Sequence, residues 1–257
     1  MRMARFCAPE RLAHLVQSFS VVETEAEATR LLVPVPGIAV AVRYAGAARL
    51  HAQGTWRALP DVAVSGLQDR ARTIRTAAGG GLVVAQLHPA AAAAFLGTAP
   101  AALAGRTLAL QGVLPVALTA ALADAIAARS DDAGRIAAFE TFLLAHSRAD
   151  RIDPLLHAAV GSITRSGGVL RIAELAAQLA LSEDALEKRF TRVFGMGPKR
   201  LARLVRLRST LRAYRPGAQL TQLAHAGGFF DQSHFNREVR RVTGVAPSQL
   251  LRAGVHC

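Results

Sequence analysis

The sequence predicts an α+β N-terminal domain, residues 1–148, and an all-α C-terminal domain, residues 153–257, with two helix-turn-helix units joined by a linking helix. Three observations lead to this fold class. Short apolar runs between turn residues fill the first half, Ala- and Leu-rich segments follow from Pro89, and a repeat with helical period occupies the C-terminal third. A polar stretch at residues 147–153, followed by Pro154, gives the predicted boundary.

The predicted elements of the N-terminal domain follow from apolar runs and the turn residues between them. Strands are predicted at residues 15–22, 31–35, 38–44, 62–65 and 82–87. Helices are predicted at residues 90–96, 117–128 and 135–146. The three glycines at residues 79–81 lack the spacing of a phosphate-binding loop, so we expect a turn there. Strands followed by helices are typical of an α+β unit.

The composition is that of a globular protein outside the membrane. Hydrophobic residues make up 51% of the chain and charged residues 19%. No apolar run reaches the roughly 18–20 residues of a membrane span, and no secretory segment follows Met1. We therefore expect a cytoplasmic protein with no membrane partner. Cys7 and Cys257 form no metal-binding pair in the sequence and are expected to be free thiols.

The positive charge is concentrated in the second half of the chain. Residues 1–150 contain 14 Lys/Arg and 11 Asp/Glu, whereas residues 151–257 contain 17 and 7. The segment from Lys188 to Arg215 carries ten basic residues and no acidic one. A field of this kind attracts a polyanion, and phosphate neutralisation with counterion release is the usual outcome. A solvated basic helix face and a membrane surface are the alternatives, and both account less well for an acid-free segment.

A repeat organises the C-terminal third. Residues 181–201 and 230–250 align without a gap at an offset of 49, with apolar, basic, Gly and Pro positions in register. Each copy predicts a short helix, a tight turn and a second helix, and the second helices lie at about residues 182–194 and 231–243. Ser182 and Asp231 are the predicted N-caps. The apolar side chains of the second helices recur at i, i+4 and i+7, which leaves a polar face outward.

This repeat resembles the AraC-type family of bacterial transcription regulators. The matching segments are IAELAAQLALSEDALEKRFTRVFGMGPKRL at residues 172–201 and LTQLAHAGGFFDQSHFNREVRRVTGVAPSQL at residues 220–250. More weakly, residues 9–22 and 82–97 resemble the N-terminal sensor-like domain of one branch of the family. The resemblance implies a sequence-specific DNA-binding regulator that places two recognition helices in successive major-groove segments of double-stranded DNA. The N-terminal domain would be regulatory.

The resemblance and the outward hydrogen-bonding residues together give the candidate base contacts. These are Asp184, Glu187 and Lys188 in the first recognition helix and Gln232, Ser233, His234, Asn236 and Arg237 in the second. The second helix is the better reader, because Arg237 can donate two hydrogen bonds to guanine. For Asp184 an equally good interpretation is stabilisation of the positive helix N-terminus, and for His234 it is partial burial beside Phe235. Val239 and Glu238 depart from the pattern of the family.

Basic residues around the recognition helices are the candidate phosphate contacts. They are Arg189, Arg192, Lys199, Arg200, Arg203, Arg240 and Arg241, and about half of them are expected to touch DNA. The aromatic side chains of the repeat are expected in the core. We expect Gly227 and Gly228 to supply the turn with positive φ in the second unit.

The sequence supports other functions less well than DNA binding. The chain has no hydrolase, nucleotide-binding or metalloprotease motif, so we expect no enzyme, no metal and no cofactor. One alternative is a DNA-binding protein in which a reactive cysteine, Cys7, accepts alkyl groups, but no basic or metal-ligand neighbourhood for it is evident. A second is a sensor whose DNA binding is controlled by a small-molecule effector, held by residues 31–87 and the Trp56 region. A homodimer through the N-terminal domain is also left open.

Overall fold

The computed structural model describes residues 1–52 and 54–252, and Cys257 lies outside this part. Within these residues, ten antiparallel strands form two sheets in the N-terminal domain. The first sheet has the order β1-β2-β9-β4-β7-β10 and the second the order β3-β8-β5-β6. The strands are β1 Arg2–Cys7, β2 Val16–Thr24, β3 Ala28–Leu32, β4 Ile38–Ala45, β5 Ala48–Ala52, β6 Thr55–Ala58, β7 Val62–Ser65, β8 Arg72–Thr76, β9 Gly80–Leu87 and β10 Thr107–Ala109.

The described helices follow the strands, apart from β10. Those of the N-terminal domain are α1 Ala92–Leu96, α2 Val116–Ala127 and α3 Asp132–His146. The C-terminal part contains α4 Pro154–Arg165, α5 Ile172–Gln178, α6 Glu183–Phe194, α7 Pro198–Ala213, α8 Leu220–Ala226, α9 Gln232–Thr243 and α10 Pro247–Arg252. The predicted fold class is therefore confirmed: a sheet-rich domain precedes an all-helical region.

Side-chain alternation divides the first sheet into two faces. Phe19, Ile38 and Val83 are fully buried on the face covered by α2 and α3, where the Phe19 and Phe139 ring centroids are 5.9 Å apart. Successive side chains of a strand point to opposite sides, so the intervening residues of β2, β4 and β9 face the other way. That second face borders a cavity, and its polar residues are the reason for the weaker apolar pattern there.

The N-terminal domain differs from the prediction in several elements. The run at residues 31–35 is a strand only up to Leu32, because Val33 leaves the sheet to pack among residues of the C-terminal helices. Strands β5, β6 and β8 lack an apolar alternation and lie outside the predicted strands, as do β1 and β10. Only the first of the three glycines at 79–81 is confined to a turn. Gly81 lies in β9, where an added Cβ would come within 2.2 Å of the Tyr44 ring.

The repeat folds as its sequence predicts. Helices α6 and α9 begin 49 residues apart, and each ends at a glycine in the left-handed region. The Ala185 N–H donates to Ser182 Oγ (3.1 Å) and the His234 N–H to Asp231 Oδ1 (2.5 Å), so both predicted N-caps are present. In the second turn Gly228 has φ +71°, as expected, whereas Gly227 does not have positive φ.

Two apolar clusters hold the helical region, and both include the N-terminal domain. Phe190 and Phe194 of α6 belong to the cluster that also contains the first sheet. Helix α6 lies against a single 3-10 turn at Pro100–Leu103. The second cluster is built by α7, α8 and α9, and Val33 joins it beside Leu204 and Leu207. The linking helix α7 thus contacts both domains.

Candidate nucleic-acid interface

Helix α9 presents a polar face because its apolar stripe is fully used in packing. Phe235, Val239 and Val242 are at most 2% exposed, whereas Ser233 and Arg237 are exposed on the other side. No ion pair engages Arg237 among the residues that the structure describes. An exposed guanidinium with five donors and no carboxylate partner is suited to bidentate recognition of guanine O6 and N7.

The other three candidate readers of α9 are half-buried. Gln232 Oε1 accepts a hydrogen bond from the Thr221 hydroxyl (2.6 Å), so its side chain is held against α8. The alternative interpretation of His234 correctly predicted its partial burial, but the ring that it meets edge-on, at 5.3 Å, is that of Phe229 and not the expected Phe235. Asn236 Oδ1 is buried and has no hydrogen-bond partner in the described part of the protein. The hydrogen bond from Thr221 leaves the two amide N–H donors of Gln232 available to a base.

Helix α6 carries its candidate readers on an exposed but partly neutralised face. Leu186 and Phe190 are fully buried, and Asp184, Glu187 and Lys188 are exposed. Lys188 Nζ lies 2.8 Å from Asp184 Oδ2, and the hydrogen bond to this carboxylate raises the pKa of Lys188. The cation of the first helix is therefore paired with a neighbouring acid one turn away.

Four of the seven candidate phosphate contacts are held by carboxylates. Arg189 donates to Asp153 (2.8 Å), Arg200 pairs with Asp69, and Arg203 and Arg241 both pair with Glu238 (2.7 Å each). The other three are Arg192, Lys199 and Arg240, which are exposed and have no ion pair among the described residues. Sequence reasoning missed Asp69 and Asp153 altogether, and it noted Glu238 only as a departure from the family pattern.

Glu238 is the most strongly perturbed acid of this surface. Its side chain is 4% exposed and lies between Arg203 of α7 and Arg241 of α9. Burial would raise its pKa, but the hydrogen bonds from Arg241 and Arg203 prevail and lower it to about 2. Glu238 therefore stays charged and ties the linking helix to the second recognition helix.

The beginnings of both recognition helices line one cleft. This cleft of about 550 Å³ is bordered by Glu183 at the start of α6, His234 in the first turn of α9, and Lys199, Arg203 and Arg206 of α7. The N-terminal residues of a recognition helix are those that reach base edges, and the predicted recognition helices α6 and α9 both begin at this cleft. Arg208, in contrast, is only 6% exposed and faces the N-terminal domain, so not every basic residue of α7 belongs to this surface.

The N-terminal domain touches this surface through residues between β7 and β8. Asp69 pairs with Arg200 near the start of α7, and the Ala71 N–H donates to the Val242 carbonyl near the end of α9 (2.7 Å). These contacts join a loop of one domain to the second recognition helix of the other.

Other functions would require other features, such as a reactive cysteine, a metal site or a membrane-spanning helix. Cys7 is an exposed free thiol. No group of three or more His, Cys, Asp or Glu residues that could hold a metal occurs within residues 1–52 and 54–252. None of the helices in that same part is long and apolar enough to cross a membrane.

Comparisons with known proteins agree with this fold. A helix-turn-helix domain model matches residues 175–253. Two crystal structures of ToxT from Vibrio cholerae, one of them the apo form of a variant, superpose with TM-scores of 0.51 and 0.50 at 13% and 14% identity; each covers 91% of this chain, and 96% and 97% of ToxT. A third, of ToxT bound to (E)-4-(8-methylnaphthalen-1-yl)but-3-enoic acid, has a TM-score of 0.50 and 12% identity over 98% of this chain and 99% of that one. No curated protein sequence matches the chain.

The C-terminal region is therefore a helix-turn-helix DNA-binding domain. This domain contains the repeat that resembles the AraC family of transcription regulators.

Proposed function

We propose that the protein is a sequence-specific regulator that inserts α6 and α9 into successive major-groove segments on one face of the duplex. The observation that carries this proposal is the shared cleft, in which the starts of both helices flank the basic side of α7. Sixteen residues of α7 span about 24 Å, and the breadth of the two flanking helices extends this toward the roughly 34 Å of one DNA turn.

The two recognition helices are proposed to contribute unequally to base recognition, with α9 contributing more than α6. In α9, Arg237 and Ser233 supply base contacts, joined by Gln232, His234 and Asn236 once the helix enters the groove. Helix α6 contributes less sequence specificity through Asp184, Glu187 and Lys188. An acid beside phosphate is unfavourable, and Lys188 is already paired. The phosphate contacts are Arg192, Lys199 and Arg240 from the outset, and Arg189, Arg200, Arg203 and Arg241 where phosphate competes with the present carboxylates.

Selection of bound DNA from a random pool, repeated at two salt concentrations, tests this function. We expect a site with two elements about one helical turn apart, with more sequence information in the element read by α9. Affinity should fall steeply with salt, since several phosphates are neutralised. Retention of DNA without enrichment of any sequence would leave only a general polyanion binder.

The contact between Asp69 and Arg200 gives a first prediction. Asp69→Asn is expected to raise DNA affinity about three-fold without changing sequence preference, because Arg200 becomes available to a phosphate and an exposed ion pair contributes no more than about 1 kcal/mol. Binding titrations on the selected site measure the change. Asp61→Asn is the matched control, since Asp61 pairs with Arg43 in the N-terminal domain. Equal affinities of Asp69→Asn and the wild type would contradict the prediction.

A second proposed function is effector control, and a cavity in the N-terminal domain favours it. The cavity, of about 250 Å³, lies against the second face of the first sheet and is also bordered by β8 and by residues 33–35. Its walls are mainly apolar, with Val22, Ile74 and Leu82 among them. Trp56, which the sequence suggested as a lining residue, instead packs against His51 and Arg75.

The charged groups at this cavity all have the same sign. Arg5, Arg43, Arg72 and Arg208 line it, and no acidic residue of the described part does. Arg72 donates to Ser65 and Thr107 hydroxyls, and burial lowers its pKa. An apolar cavity with arginines at its wall fits a carboxylate joined to an apolar body. The ToxT structure with a naphthyl-butenoic acid is a relative of this fold bound to a ligand of that chemistry.

Arg208 connects the cavity to the DNA-binding half. It projects from α7, and its guanidinium lies 3.4 Å from the Pro34 carbonyl. A carboxylate bound here would therefore contact the linking helix as well as the sheet. Such a ligand changes DNA binding only if it prefers one arrangement of α7 over another.

Thermal unfolding with a series of monocarboxylic acids tests the cavity. An acid that binds is expected to raise Tm, and at a hundred times its Kd it should add about 2.7 kcal/mol to the free energy of unfolding. The matching alcohol should leave Tm unchanged. Arg72→Met should abolish the shift. Arg75→Met is the control, since Arg75 lies on the same strand but stacks over Trp56 outside the cavity. Equal shifts by acid and alcohol would contradict recognition of the carboxylate.

The homodimer through the N-terminal domain stays a separate prediction, and light scattering can check it.

A further inference from the structure

Phe230 is an aromatic side chain that the fold leaves in solvent. It is 85% exposed, the largest value among the exposed large apolar side chains of the described residues. It stands directly before Asp231, the N-cap of α9. The ring is therefore accessible to a partner that approaches the start of α9.

The two copies of the repeat show that Phe230 is an addition. Helices α5 and α8 begin 48 residues apart, whereas α6 and α9 begin 49 apart, so the second turn has one residue more than the first. Leu181 precedes the cap in the first copy and is half-buried. Its structural counterpart is Phe229, which is 3% exposed. Phe230 is therefore the extra residue.

Phe229 already supplies the contacts that a residue before the helix usually makes. Its ring meets Phe235 at 5.2 Å and His234 at 5.3 Å, and Arg206 stacks on it at 4.7 Å. In a hydrophobic staple the residue before the cap packs on the fourth helical residue, here Phe235. Phe230 cannot serve this purpose while it is exposed, so packing of α9 does not explain it.

The surroundings of Phe230 place it beside the proposed DNA surface. Ser233, three residues further on, is an exposed candidate base contact. On the other side of the turn, Val169 is 56% exposed and lines the cleft shared by the recognition helices. A Cβ added at Gly228 would lie 2.9 Å from Val169. The turn before α9 therefore contacts a residue that lines the cleft.

We propose that Phe230 reads a thymine, by packing its ring on the 5-methyl group at the edge of the major-groove segment entered by α9. This inference rests on the proposed function. The thymine methyl is the apolar feature of the major-groove floor, and contact with an apolar side chain distinguishes it from cytosine. Burial of the ring against that methyl removes both apolar surfaces from water.

Replacement of thymine by deoxyuridine in the selected site tests the contact, because it deletes only the methyl group. For the full-length wild-type chain, one thymine in the half read by α9 should lose about four-fold in affinity on replacement, the value of one buried methyl group. Phe230→Ala should lose about four-fold on the thymine site and should bind the deoxyuridine site as tightly as the wild type binds it. Val116→Ala, which removes an exposed apolar side chain of α2, is the control and should behave as the wild type.

Each contrary result has its own meaning. If no thymine replacement weakens the wild type, or if Phe230→Ala loses affinity equally on both sites, the ring does not read the methyl and the proposal is overturned. It is also overturned if Phe230→Ala changes only self-association in light scattering, with DNA binding intact. A failure of the random-pool selection itself would instead reject the proposed function. Urea unfolding checks that Phe230→Ala folds, as expected from its exposure.

Discussion

Arg237→Ala is expected to remove preference at one base pair of the site while it leaves the other positions intact. The bidentate contact of an arginine with guanine contributes about 1–3 kcal/mol of discrimination, so affinity for the preferred site should fall about 10- to 100-fold. Sites with another base at that position should lose little, because they never offered both acceptors. Binding titrations against four oligonucleotides, one for each base at the position, measure the effect.

Arg240→Ala provides the matched comparison for Arg237. Both side chains are exposed on α9, but Arg240 lies one turn further from the helix start and is proposed to touch phosphate. Its loss should weaken all four oligonucleotides alike and reduce the salt slope by about one. If Arg237→Ala also weakens all four equally, the residue is a phosphate contact and base reading by α9 must come from other side chains.

Glu238→Gln is expected to destabilise the C-terminal region by about 2 kcal/mol, because charge-assisted hydrogen bonds to two arginines are replaced by weaker ones. Urea unfolding of wild type and variant at neutral pH measures this difference. Arg240→Ala, which has no ion pair in the described residues, is again a suitable control. A variant as stable as the wild type would show that solvent compensates Arg203 and Arg241 in full.

The ion pairs of Glu238 with Arg203 and Arg241 also predict how stability depends on pH. The folded-state pKa of Glu238, about 2, lies below its ordinary value of 4.5, so folding favours the charged form. Its contribution is complete above pH 4.5 and is lost as the pH falls from 4.5 to about 2. The stability difference between wild type and Glu238→Gln should therefore shrink across this interval. A difference that grows on acidification would contradict the assigned direction.

Local signals account for what the sequence predicts well. The caps Ser182 and Asp231, the glycines that end α6 and α9, and the apolar stripes all act within a few residues, and the repeat supplies each signal twice. The start of α7 follows from Pro198 in the same way. In the first sheet, strands with strong apolar alternation are also predictable. Strand β8, with the sequence RTIRT, is half-buried along its length and carries no such alternation.

Partners distant in sequence account for what it does not predict. Arg200 and Asp69 are separated by 131 positions, and no pattern around either residue pairs them. The cavity has the same origin, since Arg72 and Arg208 come from different domains. A partial signal did exist there: Ser18, Ser20 and Arg43 interrupt the apolar runs at alternate positions, which indicates a wall that is not ordinary core.

Val33 couples the thermal unfolding of the two domains. This valine leaves β3 and becomes 3% exposed among the side chains of α7 and α9. Once the sheet frays, the helices lose a filled position in their interior, and once the helices separate, the sheet exposes a valine to water. Calorimetry of the intact chain should accordingly show one transition rather than two. The regulator would then be a single cooperative unit, in which anything that tightens the sheet also protects the helices that meet DNA.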